Sequence, residues 1–329
     1  MRRFTYHRPR TVEQAAAAAL ASPDAAFIAG GTNLFDLMKL GVARPAALVD
    51  VTGLPGLSRI ETGGDALRFG ALATMADAAE DPVVGRDYPA LAQSLSLAAS
   101  QQLRNMATLG GNVLQRTRCP YFRDTSWPCN KREPGSGCPA IGGVNRGHAV
   151  LGTSEACIAA YPGDWAAALV AFDTAVETRR ADGRTRTVPF EELHRLPGAT
   201  PHLEHALEPG ELITAILVAK TPAGRRSHYL KVRDRESYEY AVSSAAVVLD
   251  LDGGRVREAR IGLGGVATKP WRARGAEAVL AGRVLTEELA REAGEAAFAG
   301  ARGHGHNDFK IELGRRTVAE ALLTAARKG

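Results

Sequence analysis

No run of apolar residues in this 329-residue chain approaches the roughly 18–20 needed to cross a bilayer, so no membrane span is expected. The opening MRRFTYHRPR has basic residues but no apolar stretch behind it, so it does not read as a signal peptide, and Ala15–Leu20 reads as a helix instead. Charge is not concentrated either. The formal net charge is only +5 and the basic residues are spread along the chain, which argues against a nucleic-acid partner. Aromatic residues are scarce at 6%, so the core must be built from Ala, Val and Leu. The eight histidines form no H-x-x-x-H or H-E-x-x-H arrangement, and His304 and His306 read as solvated. No nucleophile–base pair stands out, so no catalytic residue is assigned. The strand–turn–helix at Gly30-Gly31 does not carry the G-x-G-x-x-G dinucleotide fingerprint.

The chain does have glycine, 35 residues of it, and a few of these fall where a strand gives way to a helix. Thr11 and Gln14 read as a capping box opening the first helix. Ala25–Ala29 reads as a buried strand that runs into Gly30-Gly31-Thr32-Asn33 and then a helix over Leu34–Leu40, ending at Gly41. A strand at Leu48–Val51 follows, then a hairpin of Arg59–Glu61 with Leu67–Gly70 and a helix at Pro89–Ala99. Glycines in a strand–turn–helix let backbone N–H groups approach a diphosphate. Most such turns are only turns, so the pattern gains weight from a second glycine segment, Leu103–Asn112, with Thr108, Gly110, Gly111 and Asn112. Two such loops can clasp the two phosphates of one dinucleotide.

Between Arg116 and Arg146 hydrophobic periodicity fades, and Pro, Gly, Cys and basic residues take over. A loop of that length within a compact domain is functional or disordered. It holds three of the four cysteines, which favours function. The intervals are nine, eight and eighteen residues between Cys119, Cys129, Cys138 and Cys157. Zinc knuckles place cysteines two to four residues apart, and no such pair occurs here. Disulfides suit small secreted domains. Wide spacing suits a loop wrapped round something larger, such as an iron–sulfur cubane, with Arg116, Arg118, Arg123, Lys131 and Arg132 near enough to offset its charge. Zinc, inert thiols and redox-active thiols remain open readings of the spacing alone.

Beyond the loop, Asp164 is placed to cap a helix through Phe172, and Ala175–Thr178 pairs with Thr185–Val188. Leu212–Val218 is a strand and Thr221–Gly224 is the best linker candidate. Tyr229–Val232, Ala241–Leu251 and Val256–Leu263 read as strands, with helices at Arg272–Leu280, Glu287–Ala299 and Phe309–Ala326. Lys231 would by itself be a surface strand lysine and Ile213 plain core.

Four motifs in this order, Ala29-Gly30-Gly31-Thr32-Asn33, Arg104-Asn105 through Asn112, Asp164 after Pro162-Gly163, and the lysine of Tyr229-Leu230-Lys231-Val232, resemble the FAD-binding medium subunit of the molybdenum hydroxylases, the family of xanthine dehydrogenase and carbon monoxide dehydrogenase. The resemblance covers nearly the whole chain. It implies an α+β fold: a two-subdomain FAD-binding region of the PCMH type (vanillyl-alcohol-oxidase-like) over 1–221, divided into 1–55 and 56–221, then a smaller α+β domain of the CO dehydrogenase flavoprotein type over 222–329. It implies FAD held by Phe27, Ile28, Ala29, Gly30, Gly31, Thr32, Asn33 and Leu34 on one side and by Thr108, Gly111 and Asn112 on the other. Asp164 would bond the cofactor, Ile213 would pack on the ring and Lys231 would lie beside it. The cysteine-rich segment at about 116–157 is similar to an insertion in the periplasmic aldehyde oxidoreductases, which implies a [4Fe–4S] cluster on Cys119, Cys129, Cys138 and Cys157. A similar insertion occurs in 4-hydroxybenzoyl-CoA reductase. Implied partners are a large subunit with the molybdenum cofactor, a small subunit with two [2Fe–2S] clusters and an external electron acceptor. The implied location is periplasmic, by export with a signal-bearing partner, whereas the chain alone would pass for cytoplasmic.

Overall fold

The computed structural model describes residues 1–328 and has three sheets. The first is small and parallel: β1 (Thr5–His7), β2 (Ala25–Ile28) and β3 (Ala47–Asp50), with β3 in the middle. Parallel neighbours need crossovers, and helices Val12–Leu20 and Leu34–Lys39 supply them. Thr11 does cap the first helix, its side chain accepting from the Gln14 N–H. The Gln14 side chain, however, takes the N–H of Arg10, so the expected reciprocal box is not formed.

The second sheet is antiparallel. It comprises β4 (Ile60–Glu61), β5 (Ala66–Gly70), β6 (Thr174–Arg179), β7 (Thr185–Pro189) and β8 (Leu212–Ala219), in the order β4-β5-β8-β6-β7. Two helices between β5 and β6 escape a search for apolar periodicity because each is six residues long. Their caps are nevertheless written in the sequence: a Thr74/Asp77 capping box opens Met75–Glu80, and Asp81-Pro82 opens Pro82–Asp87.

The third sheet comprises β9 (Ser227–Val232), β10 (Ser243–Asp252), β11 (Arg255–Gly264) and β12 (Trp271–Arg272), all antiparallel. The unbroken apolar run in β10 follows from its place between two cores. Ala246 and Val248 face the core shared with the second sheet and helices Pro89–Ser96 and Asp164–Leu169. Ala245, Val247 and Leu249 face a separate core under helices Arg274–Leu280, Glu287–Ala297 and Phe309–Ala326. A strand covered on both faces loses polar alternation. The segment expected to be a linker forms a 3-10 turn, Pro222–Arg225, capped by Thr221 and packed on the backbone of Asp87.

Candidate functional site

A cleft of about 510 Å³ runs between the first and second sheets and is lined by both glycine segments. Along its first wall, β2 ends at Ile28 and the chain turns through Ala29–Asn33 before helix Leu34–Lys39. Among the described residues, the N–H groups of Gly30, Gly31, Thr32 and Asn33 take no backbone or side-chain acceptor within the chain. Four consecutive free donors at one turn form a nest for an anion. Both glycines are required. A Cβ on Gly30 would lie 1.8 Å from the carbonyl oxygen of Met106, and Gly31 has φ +72 with the Phe35 ring 2.6 Å from where a Cβ would go. Thus Gly30 lets the two loops touch, and Gly31 makes the turn.

The opposite wall is the start of helix Leu109–Val113. Thr108 precedes it in extended conformation, its side chain capping nothing, and among the described residues the N–H groups of Thr108 and Gly111 have no acceptor. Asn33 and Asn112 face the same cleft, and each leaves a buried amide atom without a partner, Nδ2 of Asn33 and Oδ1 of Asn112. Buried orphan groups of that kind are rare in a finished core. Two of them, opposite each other beside free N–H groups, fit a cleft completed by a polar ligand. This donor set suits a diphosphate-bearing dinucleotide, so the residues present fit FAD.

Phe27, Ile28, Ala29, Gly30, Gly31, Thr32, Asn33, Leu34, Thr108, Gly111, Asn112, Asp164 and Ile213 all line this one cleft. Lys231 does not. Its side chain is buried behind Asp164, with Nζ 2.9 Å from Oδ2 of that residue and donating to the Leu97 carbonyl at 3.0 Å. The surface-lysine expectation therefore does not hold. Period two along β9 gives the reason, since Ser227 and Tyr229 face inward and Lys231 follows them. The Tyr229 hydroxyl donates to the other Asp164 oxygen. Asp164 is the first residue of its helix rather than the cap, which is Gly163, and the helix proper ends at Leu169. Burial raises the Asp164 carboxyl above its ordinary value, and the Lys231 ammonium opposes that rise.

The cysteine loop packs against the glycine turn. Phe122 and Cys129 share a small core with Leu37, which lies on the helix following Gly31. Arg123 forms a two-pronged ion pair with Asp36 of that helix, at 2.6 and 3.0 Å. The Arg116 N–H donates to Asn33 Oδ1 at 3.2 Å, and its guanidinium meets Glu204, which also takes Lys131 at 3.3 Å. Arg118 donates to the Tyr240 hydroxyl. Arg116, Arg118 and Tyr240 line the cleft. From the sequence the two arginines were expected to serve the cysteines; that they also wall the cleft, and that Tyr240 joins them, was not foreseen.

The four thiols influence one another. Cys129 and Cys157 raise Cys119 by charge, and Cys138 and Cys129 do the same to Cys157. Burial is the larger cause, pushing Cys119 up to about 12 and Cys157 to about 11. Thiols this high stay protonated at neutral pH without a metal, the opposite of a reactive sensor thiolate. Among the described residues, no three His, Cys, Asp or Glu side chains are set close enough to hold a single metal ion. A tetrahedral zinc site would need its sulfurs about 3.8 Å apart, from a Zn–S bond of about 2.3 Å. His148 Nε2 lies 3.2 Å from the Cys119 sulfur. Of the two histidines expected to be solvated, His306 is exposed. His304 is half-buried, its ring 3.3 Å from the Thr153 hydroxyl.

Residues 2–220 match the family described as the FAD binding domain in molybdopterin dehydrogenase, and residues 228–325 match the CO dehydrogenase flavoprotein C-terminal domain. The chain is 48% identical over 326 residues to the aldehyde oxidoreductase FAD-binding subunit PaoB of Escherichia coli (strain K12), covering 99% of both chains. It is 29% identical to the nicotine 6-hydroxylase medium subunit of Paenarthrobacter nicotinovorans, covering 96% of each. Among solved structures, carbon monoxide dehydrogenase from Hydrogenophaga pseudoflava superposes with a TM-score of 0.77 at 28% identity, over 99% of this chain and 98% of that one.

Proposed function

This chain belongs to the FAD-binding medium subunits of the molybdenum hydroxylases, and from that premise we propose that it is the flavin subunit of a three-subunit aldehyde oxidoreductase that converts an aldehyde to a carboxylic acid. The observation that carries the reading is the pairing of a glycine-lined cleft rich in unpaired donors with an adjoining cysteine-rich segment that gives Arg116 and Arg118 to its wall. In this reading a large partner subunit holds the molybdenum cofactor and a small one holds two [2Fe–2S] clusters. The complex works in the periplasm, this chain being exported with a signal-bearing partner.

Bound FAD supplies the ability to collect electrons and pass them to an external acceptor. This chain's residues bind and orient it. The free N–H groups of Gly30–Asn33 on one wall and of Thr108 and Gly111 on the other would hold its diphosphate. Asn33 and Asn112 spend their orphan amide atoms on the same ligand. Asp164, fixed by Lys231 and Tyr229, presents a positioned oxygen to the cleft. Arg116 and Arg118 supply positive charge along the wall, and Ile213 supplies an apolar surface.

We further propose that Cys119, Cys129, Cys138 and Cys157 hold a [4Fe–4S] cluster. The donor set supports this: four buried or half-buried thiols in one electrostatic neighbourhood, with no arrangement for a single ion. The N–H groups of Tyr121 and Phe122 at Cys119, and of Ala159 at Cys157, are placed to stabilise thiolates there.

Iron, acid-labile sulfide, zinc and flavin assays on the complex purified with its partners test both proposals. About four iron atoms beyond those of the small subunit, with one FAD, are expected. Zinc without the extra iron would overturn the cluster, and a flavin-free chain would overturn the flavin role.

A further inference from the structure

Neither the glycine turns nor the cysteines account for the segment between helix Phe190–Leu193 and β8. Its two ends pair: the Ala206 N–H donates to the Leu193 carbonyl at 2.8 Å, and the Arg195 N–H donates to the Glu204 carbonyl at 3.0 Å. The loop they close reaches the cysteine segment. There its Pro201 and Gly198 carbonyls accept from Lys131 Nζ at 3.0 Å and from the Ser154 hydroxyl at 2.8 Å. Glu204 is thereby fixed at the base of that loop by backbone that belongs to neither cofactor site.

The Glu204 carboxylate is divided between two cations. Its Oε1 accepts from Arg116 at 2.6 Å, and its Oε2 lies 3.3 Å from Lys131 Nζ. Burial pushes the carboxyl up, but the two cations more than offset this and hold it below its ordinary value, so it is ionised at neutral pH. The cations serve different sites. Arg116 lines the flavin cleft, and its backbone N–H holds Asn33, whose orphan amide faces the same cleft. Lys131 and Glu204 do not line the cleft. Lys131 stands two residues beyond Cys129, and its charge opposes the effect of burial on Cys157.

Three charges held in this way act as one network. With Lys131 present, Glu204 is only half committed to Arg116, which keeps part of its positive charge for an anion in the cleft. Without Lys131, Glu204 closes on Arg116 alone and neutralises it. Given the flavin reading of the cleft, on which this rests, we infer that Glu204 is a positioning residue that couples the cysteine loop to the flavin cleft. By sharing its carboxylate between Lys131 and Arg116, it lets a residue outside the cleft set how strongly FAD is held.

A thermodynamic cycle on FAD affinity tests this, read by flavin fluorescence titration of the complex purified with its partners and stripped of FAD. Lys131→Met is expected to weaken FAD by roughly threefold or more in the otherwise unaltered complex, and Lys131→Arg, which keeps the charge, by much less. In a Glu204→Gln background the same Lys131→Met change is expected to have almost no effect. Arg116→Gln is a second background with the same expectation, and it decides the matter if Glu204→Gln does not fold. An equal effect of Lys131→Met in every background would overturn the inference, since the lysine would then act by its own field, or through loss of iron, without Glu204. No effect in the unaltered complex would overturn it as well. Failure of the flavin reading is a separate result: the unaltered complex would then bind no FAD at all, and the coupling would fall with it.

Discussion

The flavin cleft and the cysteine loop lie side by side but are built on opposite principles. The cleft is framed by regular structure. A β-strand delivers Gly30, a helix carries Thr108–Asn112 at its start, and a backbone-to-backbone approach at Met106 fixes their separation. The loop from Arg116 to Arg146 has one four-residue helix, Pro120–Arg123, and is held mainly by side chains. These include Arg132 reaching the Tyr121 and Phe122 carbonyls at 2.9 and 2.7 Å, and Asn130 bridging to Gly137 and Ala156. Regular structure satisfies its backbone by itself, whereas an irregular segment must recruit side chains, or a metal, to do so.

Removing one thiol is the most drastic way to break this comparison. If the loop depends on metal, Cys129→Ser will abolish iron binding by the loop and leave the cleft's FAD largely in place, read by iron assay and flavin absorbance on the same sample. Loss of FAD in equal measure would mean that the two regions stand or fall together.

Gly30→Ala attacks the other side. The added methyl meets Met106 O, and forcing the loops apart should cost about 1–3 kcal/mol. If that cost falls on binding, it corresponds to a roughly 5- to 150-fold loss of FAD affinity, measurable by flavin fluorescence titration, with iron content unchanged. Gly63→Ala, which meets nothing, is the matched control.

A smaller effect separates the rigid frame from both sites. Burial holds the His194 ring down to about 4, and its Nε2 bonds the Val113 carbonyl at 2.8 Å. In the unfolded chain the ring takes up a proton near 6.5. A depressed histidine contributes stability that is present above pH 6.5 and is lost as the pH falls from 6.5 towards 4. His194→Asn should make that decline shallower by up to roughly 1.4 kcal/mol per pH unit, read from denaturant midpoints across the range. An unchanged slope would show that the ring titrates normally.

The smallest effect probes the joint itself. Asp36 and Arg123 are partly exposed, so their pair should couple the helix after Gly31 to the loop by about 0.2–1 kcal/mol. A double-mutant cycle with alanine at each position, at low and high salt, measures it.

How far the sequence could be read depended on how local the cause was. The strand, turn and helix at Gly30 were legible because an apolar run, paired glycines and helical spacing follow one another directly. Most strands of the third sheet were legible for the same reason. Strand β1 and the helices at Met75 and Pro82 were too short for periodicity to reveal. That Thr221–Gly224 is a packed turn rather than a free one was not legible, because Pro and Gly mark both alike.

The sequence by itself determined the ingredients: two glycine turns able to expose N–H groups, four cysteines too widely spaced for zinc knuckles, and the family motifs in order. Those follow from backbone freedom and spacing, which are properties of neighbours along the chain. Only the tertiary structure decided that Gly30 touches Met106, that Lys231 serves Asp164 from behind, that Arg116 walls the flavin cleft, and that Lys310 is buried on the carbonyl oxygens of His148 and Gly265. Each of these depends on contacts between residues far apart in sequence, where packing rather than local propensity sets the distance.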